Sequence, residues 1–253
     1  MPELVREAAT LADHHPEIVL TGIHIGTYGA DVGSSLGALV ESLIRQVPRV
    51  RFRLSSVEAT EVDEQLFDLF VSESTRLAPH LHAPLQSGSD RILRRMGRHW
   101  YTAEGYAHAI ERLAARLPVF GLGADIIVGF PGETEADYLA TVALVERLPF
   151  TYLHVFTYSP RPGTAASRLP EHVPLGQAQD RSAHLRHLGQ AKGKLYRSAR
   201  VGTRADAVVI TAAPQREAMT EDYLTLPVRG EPRPRGDRFE AMVRAEGDAV
   251  VLD

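Results

Sequence analysis

Cysteine is absent from all 253 residues. Its absence excludes disulfides, a thiol nucleophile, cysteine-ligated zinc and any cysteine-held iron–sulfur cluster within this chain. No run of about 18 uncharged apolar residues exists to cross a membrane. The opening MPELVREAATLADHH is a charged amphipathic stretch, unlike the cationic start and apolar core of a secretion signal, so a soluble cytoplasmic protein is expected, with no membrane partner. Internal repeats and low-complexity tracts are also missing. Positive charge is in deficit, with 28 Lys and Arg against 32 Asp and Glu and a net charge of -4. The overall field therefore repels nucleic acid, and any RNA contact needs a local basic patch. At 44% hydrophobic residues the chain can bury the core of one large domain, or of one large and one small.

From residue 17 to about 158, short β-branched apolar runs alternate with segments of helical period. The runs are EIVLTGIHI, VRFRLSS, HLHAPL, GADIIVGF and FTYLHVFTY. This alternation predicts parallel strands joined by helical crossovers. Leu36, Leu39, Val40 and Leu43 recur at helical spacing, as do Leu66, Leu69 and Phe70, and Leu139, Val142 and Val145. Thr134 with Asp137 reads as a capping box, and Thr102 as the N-cap of the helix through Tyr106 and Ile110. A helix over about Glu3 to Asp13 precedes the first strand, whereas a βα barrel normally opens with a strand, so the start reads as truncated. Residues 174 to 199 read as one basic helix. Beyond it, RADAVVIT, DRFEAMVRA and DAVVLD, broken by GEPRPRGD, predict a small β barrel or sandwich. The expected division is 1–199 and 200–253.

Small and polar clusters follow each of the five strands: TGIHIGTYG, SSVEAT, PLQSGSD, VGFPGET and TYSPRPGT. In a parallel α/β barrel these loops surround one mouth, so a ligand site is the economical reading. Gly22, Gly26, Gly88, Gly129 and Gly132 allow close backbone approach. Ser55, Ser56, Glu58, Gln86 and Ser87 offer partners for a ribose, an ammonium or a carboxylate. The competing reading is that the glycines only make turns and the serines only cap helices.

These motifs, with LSSVEATE, PHLHAPLQSGSDRILRRMGRHWYT, ADIIVGFPGETEADYLAT and HVFTYSPRPGTAA, resemble the successive strand-and-loop motifs of radical S-adenosylmethionine (SAM) methylthiotransferases. The TGIHIG and HVF-YSPRPGT wording is most similar to the branch acting on threonylcarbamoyladenosine in tRNA. Thr220-Glu221-Asp222-Tyr223-Leu224 resembles part of that family's TRAM domain, a small RNA-binding β barrel. The resemblance implies an α/β fold: a radical SAM (βα)6 TIM-like barrel, here partial and lacking its first strand, followed by the small all-β TRAM-like domain. It implies SAM at the strand C-termini, with Thr21 and Gly22 near the methionine ammonium and Ser55, Ser56 and Glu58 on methionine and ribose. Gln86 and Ser87 would line the pocket, Ile127, Gly129 and Glu133 would shape the adenosine side, and Tyr158 and Arg161 would close the far edge.

The same resemblance implies transfer of a methylthio group to C2 of N6-threonylcarbamoyladenosine next to the anticodon. One SAM methylates the sulfur and a second is cleaved reductively to a 5′-deoxyadenosyl radical, which activates the adenine C2–H. The 4Fe-4S clusters of the intact family are held by a CxxxCxxC motif and an N-terminal domain, neither of which this chain contains. The chain is therefore expected to be a cysteine-free fragment, inactive alone, with tRNA, SAM and an N-terminal segment of the same protein as partners.

Arg91, Arg94, Arg95 and Arg98 share one face of a predicted helix, either solvated or in contact with phosphate. The helix from Asp180 to Arg204 carries Arg181, Arg186, Lys192, Lys194, Arg197, Arg200 and Arg204 against one acid and is the better RNA candidate. Nine arginines face ten acids over residues 197 to 253, so the small domain alone has little electrostatic claim to RNA. His80 and His82 point to one face of their strand, where two imidazoles could begin a metal site, though no metal ligand is assigned. Trp100 is either a rim aromatic or a base-stacking surface. Two other functions stay open: a SAM or tRNA binder without turnover, and a metal-dependent barrel hydrolase using His80, His82 and Asp125.

Overall fold

The computed structural model describes all 253 residues. An opening helix, α1 (Pro2–Ala12), leads into alternating strands and helices: β1 (Glu17–Leu20), α2 (Leu36–Gln46), β2 (Arg51–Leu54), α3 (Glu64–Ser72), β3 (His80–His82), α4 (Asp90–Arg95), α5 (Ala103–Ala114), β4 (Gly121–Val128), α6 (Glu135–Arg147) and β5 (Tyr152–Thr157). Strand β1 pairs in parallel with β2, and β3, β4 and β5 pair in parallel in that order. Bridges at Phe52–Leu77 and Ser56–His82 join the two sets into one arc in chain order. Strand β1 has no second neighbour and is one open edge of the arc.

Side-chain alternation divides this arc into two faces. Phe52, Leu54, Leu81, Leu122, Ala124, Ile126, Val128 and Val155 point outward into a core shared with the helices. Each fully buried Val, Leu, Ile or Phe among them contributes about 1.5–3 kcal/mol. The helix stripes expected around Leu39 and Phe70 are buried, but Leu139 is 53% exposed. The buried stripe of α6 runs instead through Tyr138, Thr141, Val142 and Val145, the i, i+3, i+4, i+7 pattern. Thr134 does form the capping box with Asp137, and Thr102 accepts from the Gly105 amide.

The inner face is polar. Glu17 of β1 accepts from Arg51 and Arg53 of β2, both buried. The Tyr152 hydroxyl lies 2.9 Å from His80 Nε2 and 3.1 Å from His82 Nδ1. Strands β3 and β5 are not neighbours, so Tyr152 must reach over β4. It can because Gly123 lies beneath, where a Cβ would sit 2.0 Å from the Tyr152 ring.

Helix α7 (Leu175–Arg200) runs 26 residues, about 39 Å at 1.5 Å per residue. It packs on β5 through Leu185, through Gly189 against Leu153, and through Gly193 against the Thr151 carbonyl. It leads into a second, antiparallel sheet of β6 (Arg204–Thr211), β7 (Glu217–Thr220), β8 (Thr225–Pro227), β9 (Arg238–Glu246) and β10 (Ala249–Leu252). The order β10-β9-β6-β7-β8 curls until Val228 bridges Leu252. The β7–β8 turn, Glu221 to Leu224, seats against the strand N-termini of the arc. Arg53 donates to the Thr220 and Glu221 carbonyls at 3.0 Å, Tyr223 stacks on His80 with ring centroids 4.3 Å apart, and a Cβ at Gly121 would meet the Asp222 carbonyl at 2.0 Å. The core of the small sheet has nine buried residues, too few to leave this polar docking energetically incidental. No helix is long and apolar enough to cross a membrane.

Candidate functional site

The loops after the parallel strands gather at the opposite end from the docked sheet. After β1, Thr21 and Gly22 are exposed, and His24 approaches Trp100 with ring centroids 6.4 Å apart. After β2, the Ser55 and Ser56 hydroxyls make no hydrogen bond within the chain, and Ser56 bridges His82 through its backbone. Glu58 is engaged differently from expectation: it accepts from Arg98 at 2.8 Å and from the Trp100 indole. Glu61 lies close by, and burial, helped by the Glu58 charge, raises its carboxyl above the ordinary range. Three loops thus converge through an acid–arginine–tryptophan cluster.

The loop after β3 is held from beneath. Tyr106 donates to the Ala83 carbonyl at 2.7 Å and Tyr101 to that of Leu85 at 2.9 Å. Burial pushes the Tyr101 phenol up to about 12, so it stays a donor. Gln86 adopts φ 65° and exchanges backbone hydrogen bonds with β4, extending the ladder to the mouth. Ser87 does not line a pocket. It is fully buried, facing Thr141 and accepting from the Ser89 amide. Gly88 is required there, because a Cβ would sit 2.6 Å from the Thr141 Cα.

After β4, Gly129 takes φ 73° and donates its amide to the Glu133 carboxylate at 2.8 Å. Glu133 is buried and also accepts from Arg181 at 2.7 Å. Burial raises its carboxyl against the lowering by these donors. Its role is to fix the loop from behind. Ile127 lies on the inner face beyond Asp125. Tyr158 packs on Phe130, its hydroxyl buried without a partner. Arg161 is exposed and unpaired.

Most of the expected RNA-facing arginines are committed elsewhere. Helix α4 ends at Arg95 and Gly97 turns the chain at φ 80°, so Arg98 is not on the helix with Arg91. Arg91 pairs with Asp137, Arg95 donates to the Pro131 carbonyl at 3.0 Å, and Arg98 holds Glu58. Arg181 and Arg200 of α7 are buried, the latter 2.7 Å from Glu221 and 2.9 Å from Asp222. Lys192 donates to the Glu146 carbonyl at 2.9 Å. Arg94, Lys194 and Arg197 remain exposed and unpaired. Lys194 and Arg197 line a groove of about 920 Å³ with Arg186, Thr225 and Asp248, continuous with Tyr152, His154 and Phe156 of β5.

Deeper in the arc, His82, Asp125 and His154 converge from three adjacent strands. Asp125 Oδ1 is 3.2 Å from both His82 Nε2 and His154 Nδ1. Burial alone would raise the Asp125 carboxyl, but the two imidazoles outweigh it and hold it below the ordinary range. His154 went unnoticed in the sequence: its only signal there is an ionisable residue midway in an apolar strand, and its register with Asp125 shows only in the sheet.

Comparison with known proteins agrees with this architecture. Two solved structures show the fold: the radical SAM methyltransferase TsrM from Kitasatospora setae (TM-score 0.53, 16% identity, 66% of this chain and 32% of that one), and the radical SAM enzyme coproporphyrinogen III oxidase from Escherichia coli (TM-score 0.54, 17% identity, 76% and 44%). Among curated proteins, the threonylcarbamoyladenosine tRNA methylthiotransferase MtaB of Thermotoga maritima is 42% identical over 189 residues, 74% of this chain and 43% of that protein. MtaB of Aquifex aeolicus is 36% identical over 231 residues (91% and 55%). The tRNA-2-methylthio-N(6)-dimethylallyladenosine synthase of Acidithiobacillus ferrooxidans is 40% identical over 225 residues (86% and 49%). The chain spans about half the length of these relatives. Residues 1–145 match the Radical SAM superfamily, and with methylthiotransferase relatives on both sides of the substrate divide, the chain belongs to the radical SAM enzymes.

Proposed function

We propose that this chain forms the SAM- and tRNA-facing part of a methylthiotransferase that modifies C2 of N6-threonylcarbamoyladenosine beside the anticodon. The observation that carries the reading is the convergence of the strand-end loops on one mouth in a chain whose relatives bear that name. SAM suits the mouth: the unengaged hydroxyls of Thr21, Ser55 and Ser56, the exposed backbone at Gly22 and the unpartnered Tyr158 hydroxyl are the donors and acceptors a ribose and an amino acid end require. When bound, SAM would supply the methyl group and, given one electron from a reductant outside this chain, the adenosyl radical. A 4Fe-4S cluster does not fit the residues present, because no thiolate exists in the chain. Turnover would require cluster ligands from elsewhere, such as an N-terminal segment of the same protein. The lack of cysteine equally favours binding without turnover for the chain alone.

In this reading residues 1–199 act as the barrel part and 200–253 as a TRAM-like module, working in the cytoplasm. The tRNA lies along the groove between α7 and the small sheet, where Lys194 and Arg197 meet phosphates and the exposed Phe156 faces the same space. Each single-strand phosphate contact contributes about 0.7 to the slope of log affinity against log salt. The double variant Lys194→Ala/Arg197→Ala should therefore lower that slope by about 1.4, measured by anisotropy with a labelled anticodon stem-loop. An unchanged slope would place the RNA elsewhere.

A further inference from the structure

We propose that His82, Asp125 and His154 form a binding site for a divalent transition metal of the zinc class, with an open coordination position toward the groove beside β5. Two imidazole nitrogens and one carboxylate oxygen, all within 4.8 Å of one another, come from three neighbouring parallel strands. Register places them there: His82 pairs with Gly123, and Asp125 with His154. Two ligand atoms each about 2.05 Å from a tetrahedral ion lie about 3.4 Å apart. The two Asp125 separations of 3.2 Å match that spacing. The remaining adjustment falls on His154, whose side chain is 56% exposed and free to turn.

The surroundings are built for ligation. In metal sites the second ring nitrogen of a ligating histidine is held by an outer partner that fixes the tautomer. His82 has that partner: its Nδ1 lies 3.1 Å from the Tyr152 hydroxyl, which is itself anchored 2.9 Å from His80 Nε2. His80 is pinned in turn between Tyr152 and the stacked Tyr223. In the tautomer that donates Nδ1–H to Tyr152, His82 would offer its Nε2 lone pair to an ion held beside the Asp125 carboxylate, 3.2 Å away. Asp125 is partly exposed and His154 exposed, so an ion can enter from the groove and keep a water or substrate ligand. Imidazole with carboxylate suits zinc and its borderline neighbours better than magnesium or calcium. The rival arrangement is a metal-free His–Asp–His relay with a proton in place of the ion.

The test uses the full chain, tag removed and chelator-treated, titrated with zinc against a chromophoric chelator and separately with cobalt(II) by visible absorption. One equivalent of zinc per chain is expected, with cobalt bands of four- or five-coordinate geometry. Asp125→Asn and His154→Ala should each weaken zinc binding by more than the roughly 10–100-fold that losing an outer partner costs, and Tyr152→Phe should fall within that range. His187→Ala, on the exposed side of α7, should leave it unchanged. Unaltered circular dichroism and melting would show that His154→Ala folds. Absence of stoichiometric zinc, or stoichiometric zinc indifferent to Asp125→Asn and His154→Ala, would overturn the assignment in favour of the relay.

Discussion

Replacing Glu17 by glutamine should destabilise the whole fold, because its carboxylate pairs with two buried guanidiniums, of which only Arg51 has a second carboxylate within reach, Asp206 at 3.1 Å. Arg51 and Arg53 are 0% and 2% exposed, and both donate to Glu17. Breaking a buried ion pair from one side costs about 3–5 kcal/mol. The arginines keep other acceptors, the Asp206 carbonyl at 2.6 Å for Arg51 and the Thr220 and Glu221 carbonyls at 3.0 Å for Arg53. That places Glu17→Gln near the lower end, about 3 kcal/mol, and about 6–12 °C in Tm for a chain of this size. Urea unfolding followed by the single Trp100 and by circular dichroism would measure it. The effect also has a pH signature. Burial alone would raise the Glu17 carboxyl, but Arg53 and Arg51 hold it below the ordinary range. Its contribution is therefore full above the unfolded carboxylate value of about 4.3 and is lost as pH falls through the lower folded value. The glutamine variant should lack that component of acid unfolding. A loss under about 1 kcal/mol, typical of exposed pairs, would refute the reading of this cluster as the electrostatic floor of the arc.

Two further perturbations test the assembly. Gly121→Ala should loosen the small sheet from the arc, because the new Cβ would sit 2.0 Å from the Asp222 carbonyl, a backbone atom that cannot yield; hydrogen exchange should rise in the Thr220 to Leu224 turn, and unchanged protection there would contradict the docking. Thr134→Ala should cost about 1 kcal/mol through loss of the α6 capping box, readable as a Tm decrease of about 2–4 °C, and no change would mean the cap is idle.

The parallel arc was legible because its strands carry β-branched runs and its helices carry apolar stripes, and the two caps were legible from Thr102 and from Thr134 with Asp137. Short strands escaped. β7 and β8 are four and three residues long, too brief for alternation to register, so the turn between them could not be seen as the plug of the arc. The fate of the basic residues was equally hidden. Arg200 and Lys192 look alike in a basic helix, yet one is buried against Asp222 and the other rests on a carbonyl. Only tertiary packing separates them from Lys194 and Arg197. Glu58 and Arg98, given separate roles from sequence, turn out to bind each other. The His82, Asp125 and His154 cluster needed strand register to appear, since 72 positions separate its ends.

The most direct test of the central claim, that the strand-end mouth is a SAM surface, is calorimetric titration of the full chain with SAM. Weak, saturable binding is predicted, lost in Gly22→Val, whose added side chain crowds Ile25 at the mouth, and weakened in Ser55→Ala/Ser56→Ala. No binding at all, or tight binding indifferent to these changes, would contradict it.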